Sequence, residues 1–275
     1  MLKNTAGLRI AFQGDHYAFS EIAAKKYFQN EIVTQPCQSF EQVFAAVKQK
    51  KTELGIIPIE NTSMGSIHRN YDLLLEDGIQ IVGEVNLAIE LHLIAKPGVS
   101  FSQLHSIYSH PAALEQCRQF INRHSHIEFI SSYDTAGSVK WVAGQSRPDV
   151  AAIASREAAI DYGMNILIPD IEDFQENITR FLIIAAHQLE LGAPNKTSIV
   201  FATKHIPGAL FKSLSVFFLR DINLLKIESR PLRGKPWQYI FYLDFEGDLH
   251  QPNCQNALNH LEEIAQFVKV LGSYP

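Results

Sequence analysis

Cysteine is scarce in this chain of 275 residues: Cys37, Cys117 and Cys254 are odd in number, far apart and without a CxxC neighbour. That suits reduced thiols in a reducing compartment better than a disulfide framework. Lysine and arginine never gather into a run and the formal charge is -5, so the phosphate-neutralising surface of a general nucleic-acid binder is missing. No apolar stretch approaches the length of a membrane span, and Met1-Leu2-Lys3 leads into the strand-like Leu8-Arg9-Ile10-Ala11-Phe12 without the pattern of a signal peptide. No membrane partner is expected, and the cytoplasm is the expected compartment. Repeats and low-complexity tracts are absent. The histidines are scattered, and His124-Ser125-His126 lacks further ligands at metal spacing, so no metal site is expected. What remains is 46% hydrophobic and 19% charged, the balance of an ordinary globular protein long enough for two domains or three small ones.

From Leu8 to about His187 short apolar runs alternate with helical spacing. The runs are Arg9 to Gln13, Glu53 to Ile59, Ile79 to Val82, His92 to Ala95, Ser106 to Ser109, Val150 to Ala154 and Phe181 to Ala186. Between them Phe40, Val43, Phe44 and Val47 recur at helical intervals, as do Ala113, Cys117, Phe120 and Ile121. This alternation predicts α/β layers around largely parallel sheets. Three runs have polar tips: Ile56-Ile57-Pro58-Ile59-Glu60-Asn61-Thr62-Ser63, Tyr108-Ser109-His110-Pro111, and Gln175-Glu176-Asn177-Ile178-Thr179-Arg180-Phe181. Ligands of such sheets sit at the strand carboxyl ends, where the three tips are expected to lie. Three ends offering hydroxyl, amide and acid groups predict one cleft for a small polar anion.

The turn-prone segment Leu189 to Asn195, uncharged apart from Glu190, predicts a domain boundary. Beyond it Ser198 to Ala202 reads as a strand, and Pro207-Gly208 opens a helix whose core face is Leu210, Leu214, Phe217 and Phe218. Leu224 to Ser229 and Trp237 to Phe245 read as a strand pair, Asn253 to Ile264 as a second helix, and Val268 to Leu271 as a last strand. The order βαββαβ is that of a ferredoxin-like module.

Several of these segments, taken together, resemble the prephenate dehydratase family with its regulatory ACT domain. They are Ile57-Pro58-Ile59-Glu60-Asn61-Thr62, Ser109-His110-Pro111, Asp134-Thr135-Ala136, Ala151-Ala152-Ile153-Ala154-Ser155, Asn177-Ile178-Thr179-Arg180-Phe181, Gly208-Ala209-Leu210 and Glu228-Ser229-Arg230-Pro231. The resemblance implies a two-lobed, periplasmic-binding-protein-like α/β catalytic domain over residues 1–188 and a ferredoxin-like ACT domain over 196–275. It implies loss of CO2 and water from prephenate to give phenylpyruvate, with no cofactor or metal, and feedback inhibition by L-phenylalanine. It also implies a homo-oligomer, a tetramer built as a dimer of dimers. With Leu8 beginning the catalytic part almost at once, a monofunctional chain is expected. Arogenate dehydratase and a non-catalytic amino-acid sensor are the alternatives.

By the same resemblance, Asn61, Ser109, Gln116 and Thr179 fall on catalytic positions, and Glu60, Thr62, Thr135, Arg180 and Phe181 are expected at the substrate. A threonine hydroxyl is too weak an acid to be deprotonated at neutral pH, so Thr179 reads as a hydrogen-bond donor to the departing oxygen. Asn61, Ser109 and Gln116 are neutral donors for carboxylates. Arg180 offers a planar fork, yet strand alternation would turn it away from Thr179. Glu60 reads either as a proton donor, if buried, or as a group that orients backbone amides. His110, before Pro111, reads as structural. Gly208, Ala209 and Leu210, at a helix start, and Glu228, Ser229, Arg230 and Pro231, at a strand end, are expected to form the phenylalanine site. Without the resemblance, Glu228 and Arg230 read as a surface ion pair. Two departures stand out: Tyr17 occupies a position where the family usually has glycine, and Ala112 one where many members have glutamine.

Overall fold

The structure, a computed structural model, describes residues 7–29, 32–189, 191–232 and 234–275. Met1-Leu2-Lys3 and Glu190 lie outside the described residues. In chain order the first part holds β1 (Leu8–Gln13), α1 (Phe19–Phe28), β2 (Ile32–Cys37), α2 (Phe40–Lys48), β3 (Leu54–Asn61), β4 (Gly65–Ser66), α3 (His68–Leu74), β5 (Gln80–Ala88) and β6 (His92–Ala95). There follow β7 (Ser106–Ser109), α4 (Pro111–Gln116), α5 (Arg118–Arg123), β8 (Glu128–Ser131), α6 (Thr135–Gly144), β9 (Val150–Ala154), α7 (Arg156–Asp161), β10 (Asn165–Ile168) and β11 (Ile178–Ala185). By compactness the described residues divide into two units, 7–70 with Val85–Leu182, and Tyr71–Glu84 with Ile183–Pro275.

The first sheet has the order β2-β1-β3-β11-β5, with β4 on β3. β1 runs parallel to both β2 and β3. Leu54 to Ile57 are fully buried, as a strand covered on both faces requires. Pro58, which cannot donate to a ladder, lies beyond Ile56, the last β3 residue opposite β1.

The second sheet has the order β10-β6-β9-β7-β8. Here the expectation of largely parallel pairing needs correction. β7 is parallel to β8 and β9, but β6 is antiparallel to β9 and β10. The run from β7 to β9 has helical crossovers between its strands, which parallel neighbours need, whereas β6 enters from β5 through a short connection. The helix expected through Ala113 to Ile121 also divides. Cys117, at φ -115° and ψ 28°, leaves helical geometry and separates α4 from α5.

The C-terminal part follows the βαββαβ order: β12 (Lys196–Thr203), α8 (Ala209–Phe218), β13 (Leu224–Pro231), β14 (Tyr239–Glu246), α9 (Pro252–Ile264) and β15 (Ala265–Tyr274). Its antiparallel sheet has the order β13-β14-β12-β15. Alternate residues Ile199, Phe201, Leu243 and Phe245 pack with Val216 and Phe217 of α8 and with Ala257, Leu258 and Leu261 of α9. Phe218 was expected on this face but is 78% exposed. The buried arc of α8 is centred on Ser213 and Phe217, and Phe218 stands about 100° further round. β13 ends at Pro231, which still sits opposite Tyr239; an edge strand tolerates the missing N–H. Gly272 of β15 lies so close to the Ile81 carbonyl that a Cβ would collide with it, so glycine is required there.

Candidate active site

Asn61 closes β3 at its carboxyl end, but Thr179, 118 residues away in sequence, is the second residue of β11 and so lies at an amino end, which corrects the expectation of three carboxyl ends. The Asn61 Nδ2 donates to Thr179 Oγ1 at 2.9 Å and to Asn177 Oδ1 at 2.7 Å. Its Oδ1 accepts the backbone N–H groups of Ser63 and Met64 at 2.8 and 2.9 Å. These four bonds fix the orientation of the amide. Asn177 in turn donates to Gln116 Oε1 at 3.0 Å and to the Ile89 carbonyl at 3.2 Å. Asn61, Asn177 and Thr179 are buried, so each polar atom matters to stability.

Thr179 accepts the Asn61 N–H, so its own O–H proton must be directed elsewhere. Thr179 borders a cavity of about 600 Å³, together with Asn61, Gln116, Thr135 and Phe181. The arrangement therefore leaves one neutral hydroxyl donor at the cavity wall. Gln116, also on the cavity wall, presents its oxygen to Asn177, which leaves its NH2 group free of that contact. The first turns of α1, α2 and α6 also border this space, through Phe19 and Ser20, Phe40 and Glu41, and Thr135. The N-cap residue of α1, Ala18, has no side-chain cap, and the Glu21 N–H is taken by the Ala18 carbonyl, so the Phe19 and Ser20 N–H groups are the ones available to an anion. Arg69 and Glu41, both on the cavity wall, are paired at 2.6 Å. Burial pushes the Asp134 carboxyl up, against the N–H groups of Gly137 and Asp15 that it accepts.

Not every expected residue joins this group. The Ser109 hydroxyl donates to the Ile153 carbonyl at 2.6 Å and does not line the cavity. Ser109 ends β7 beside β9, and its side chain satisfies the neighbouring strand. Thr62 is exposed; its Oγ1 donates to the Glu176 carbonyl at 2.7 Å and accepts the Ile178 N–H at 2.9 Å, tying the β3 end to the start of β11. Arg180 and Glu60, one residue on from Thr179 and one before Asn61, form an ion pair at 3.9 Å off the cavity wall, as alternation along extended strands requires. Asn177 was not singled out as a site residue. Its place two residues before Thr179, the spacing that shares a side of an extended chain, was the available signal.

In the C-terminal part Gly208 caps α8 with φ 75°, a left-handed geometry that favours glycine. Ala209 and Leu210 begin that helix, and Glu228 to Pro231 close the edge strand β13. Glu228 pairs with Lys226 at 3.8 Å and Arg230 with Asp72 at 3.4 Å. Among the described residues Glu90, His92 and Asp170 bring three possible metal ligands within 4.8 Å of one another. The Asp170 N–H already occupies His92 Nδ1, and none of the three lines the cavity.

A family model described as prephenate dehydratase matches residues 10–189. The chain belongs to the prephenate dehydratase family. It is thus a dehydratase, an enzyme of the lyase class. Arogenate dehydratase/prephenate dehydratase 2 of Arabidopsis thaliana is 46% identical to it, over 100% of this chain and 74% of the relative. A solved prephenate dehydratase from Arthrobacter aurescens, in complex with L-Phe, is 28% identical, with a TM-score of 0.87 over 97% of this chain and 89% of that one. GqqA, described as a novel type of quorum quenching acylase, is 33% identical with a TM-score of 0.86, over 97% of each chain. The Arabidopsis relative and others from that plant are named chloroplastic, which overturns the cytoplasmic expectation. Cysteine usage and the lack of a spanning segment carry no compartment address.

Membership in the prephenate dehydratase family gives the two departures a physical reading. Tyr17 has φ 69°, the left-handed region in which glycine is at ease. A tyrosine there costs about 1–2 kcal/mol, and several contacts hold it. Its N–H donates to the buried Glu21 carboxylate, its carbonyl accepts from Ser155 Oγ at 3.0 Å, and Lys25 Nζ lies 4.8 Å from its ring. A hydrogen bond to Asp161 leads the causes that push the Tyr17 phenol up to about 12. Burial alone would raise the Glu21 carboxyl, but hydrogen bonds from Thr34, the Tyr17 N–H and His16, with Lys25 nearby, hold it below the usual carboxylate range. Ala112 borders the cavity, where its short side chain leaves room.

Proposed function

We propose that this enzyme removes CO2 and water from prephenate to give phenylpyruvate, on the route to L-phenylalanine. The observation that carries this reading is the Asn61–Thr179 hydrogen bond at the cavity wall. As the ring carboxylate leaves, its C–C bonding pair enters the ring and the C4 hydroxyl departs with the C–O pair. It takes up a proton and becomes water. Aromatisation drives the step, so the protein has to hold the substrate in one pose, exclude water and donate to the departing oxygen, tasks that need no cofactor. Thr179 is the donor, Asn61 sets its orientation, and Gln116 with the helix first turns holds the carboxylates. Thr135 and Phe181 complete the wall. Ser109, Glu60, Arg180 and Thr62 act as supports of this constellation.

Arogenate, with an amino group in place of the keto oxygen, is the second reading, favoured by the names of the plant relatives. Kinetics with both substrates side by side separate the two. The expected result is a higher kcat/KM for prephenate, measured by ultraviolet absorbance of phenylpyruvate; a large preference for arogenate reverses the assignment.

For regulation the reading is an ACT domain over residues 196–275, following a two-lobed catalytic domain over 1–188. L-Phenylalanine would sit between Gly208-Ala209-Leu210 and Glu228-Ser229-Arg230-Pro231, at the interface of subunits in a tetramer built as a dimer of dimers. Support comes from the left-handed Gly208 cap and from the relative solved with L-Phe. An effector shifts an equilibrium only by its differential affinity, so phenylalanine must bind better to a less active state. Ser229→Ala is expected to weaken phenylalanine inhibition roughly fivefold, the worth of one hydrogen bond, while basal turnover stays intact. Inhibition curves test this; parallel loss of both properties would assign Ser229 to the fold.

A further inference from the structure

We infer that His110 is a further substrate ligand, its Nε2–H donating to the side-chain carboxylate that the substrate keeps through the reaction. The inference rests on the cavity being the site of prephenate or arogenate turnover. His110 caps α4, and its Nδ1 accepts the Ala112 N–H at 3.2 Å. A ring nitrogen that accepts carries no proton, so the proton of the neutral ring is on Nε2. Burial holds the imidazole below its usual range, only partly offset by Asp134, so the neutral form prevails near pH 7. Among the described residues, no group takes a hydrogen bond from Nε2, and His110 lines the cavity with Ala112, Gln116 and Thr179.

The chemistry chooses the partner. Both candidate substrates carry two carboxylates, of which one leaves as CO2. A donor gripping the leaving carboxylate would stabilise the charge that the transition state disperses, and so slow the reaction. A donor gripping the retained carboxylate binds ground state and transition state alike. Among the described cavity residues, Arg69 is the one permanent cation, and it is paired with Glu41. The retained carboxylate must therefore rely on neutral donors, and the Nε2–H of His110 is one that nothing else uses.

A simple capping role for His110 makes opposite predictions, and two variants separate them. In His110→Asn the amide oxygen replaces Nδ1 as acceptor for the Ala112 N–H, but the Nε2 donor is gone. In His110→Gln the amide nitrogen reaches the Nε2 position, while the cap is weakened. The expected result for His110→Asn is a KM raised roughly 10- to 100-fold, as for a lost hydrogen bond to a charged group, with kcat and Tm little changed. His110→Gln should recover most of the KM effect at a lower Tm. Normal KM in the Asn variant, or equal KM defects in both variants that follow Tm, would overturn the inference. A measurement on the unmodified enzyme stands beside them: the His110 Nε2–H proton resonance should move when phenylpyruvate, which bears the retained carboxylate, is added. No movement at saturation would also overturn it. Wild type inactive on both substrates would defeat the functional reading and this inference with it, whereas an active wild type and an unimpaired Asn variant would defeat the inference alone.

Discussion

Thr179→Val should lower kcat for prephenate by about 10²–10³-fold, the usual cost of removing one donor to a charge that develops in the transition state. Valine matches threonine in shape, and Thr179 is buried, so packing is conserved and the hydroxyl is the difference. The loss should appear in kcat and kcat/KM alike, since the bond strengthens only as the C–O bond breaks. Thr179→Ser keeps the donor and should retain much of the rate. A secondary cost of about 1–3 kcal/mol in stability is expected from valine, because Asn61 Nδ2 would be left with one acceptor instead of two. Steady-state kinetics with a thermal melt separate the two effects. Equal turnover by Thr179→Val and wild type would remove Thr179 from the mechanism.

Asn61→Asp should be at least as damaging, although it changes one atom. The carboxylate would set an acceptor against Asn177 Oδ1, where an N–H now donates at 2.7 Å. It would also draw the Thr179 O–H toward itself and away from the cavity. A loss of roughly 10³-fold in kcat is expected, with at least about 1–3 kcal/mol of stability, because a buried acceptor faces an acceptor. Burial raises the pKa of the introduced carboxyl. Protonation restores an O–H donor at that position, so part of the lost activity should return as pH is lowered, whereas wild type gains nothing from this source. A pH–rate profile of the variant checks the sign; a defect that deepens as pH falls would mean that Asn61 does not act by donating to Thr179.

The strands at the middle of each α/β sheet were legible because both their faces are buried. His92 to Ala95 and Val150 to Ala154 were read with their observed limits. Three of the edge strands were not read. β2, β8 and β10 end their sheets, and their half-exposed sequences, with Pro36 inside β2, offer neither a continuous apolar run nor a clean alternation. The break at Cys117 has no glycine or proline to announce it, yet it makes Gln116 the last residue of α4, beside Asn177. Of the three polar tips, the sequence signal for Asn61 and Thr179 led to one hydrogen-bonded pair. The signal for Ser109 was equally polar, but its hydroxyl satisfies a strand carbonyl, a choice that depends on which strand becomes its neighbour. His110 in the same tip looked structural, and it is a cap; that it also borders the cavity emerges only in three dimensions.

A double-mutant cycle on Asn61 and Thr179 tests most directly whether the two act as one unit on the departing oxygen. If Asn61 works by orienting the Thr179 hydroxyl, then Asn61→Ala combined with Thr179→Val should turn over prephenate no more slowly than Thr179→Val alone, because no donor remains to be oriented. Losses that multiply, each variant lowering kcat by its full single-site factor, would contradict the account.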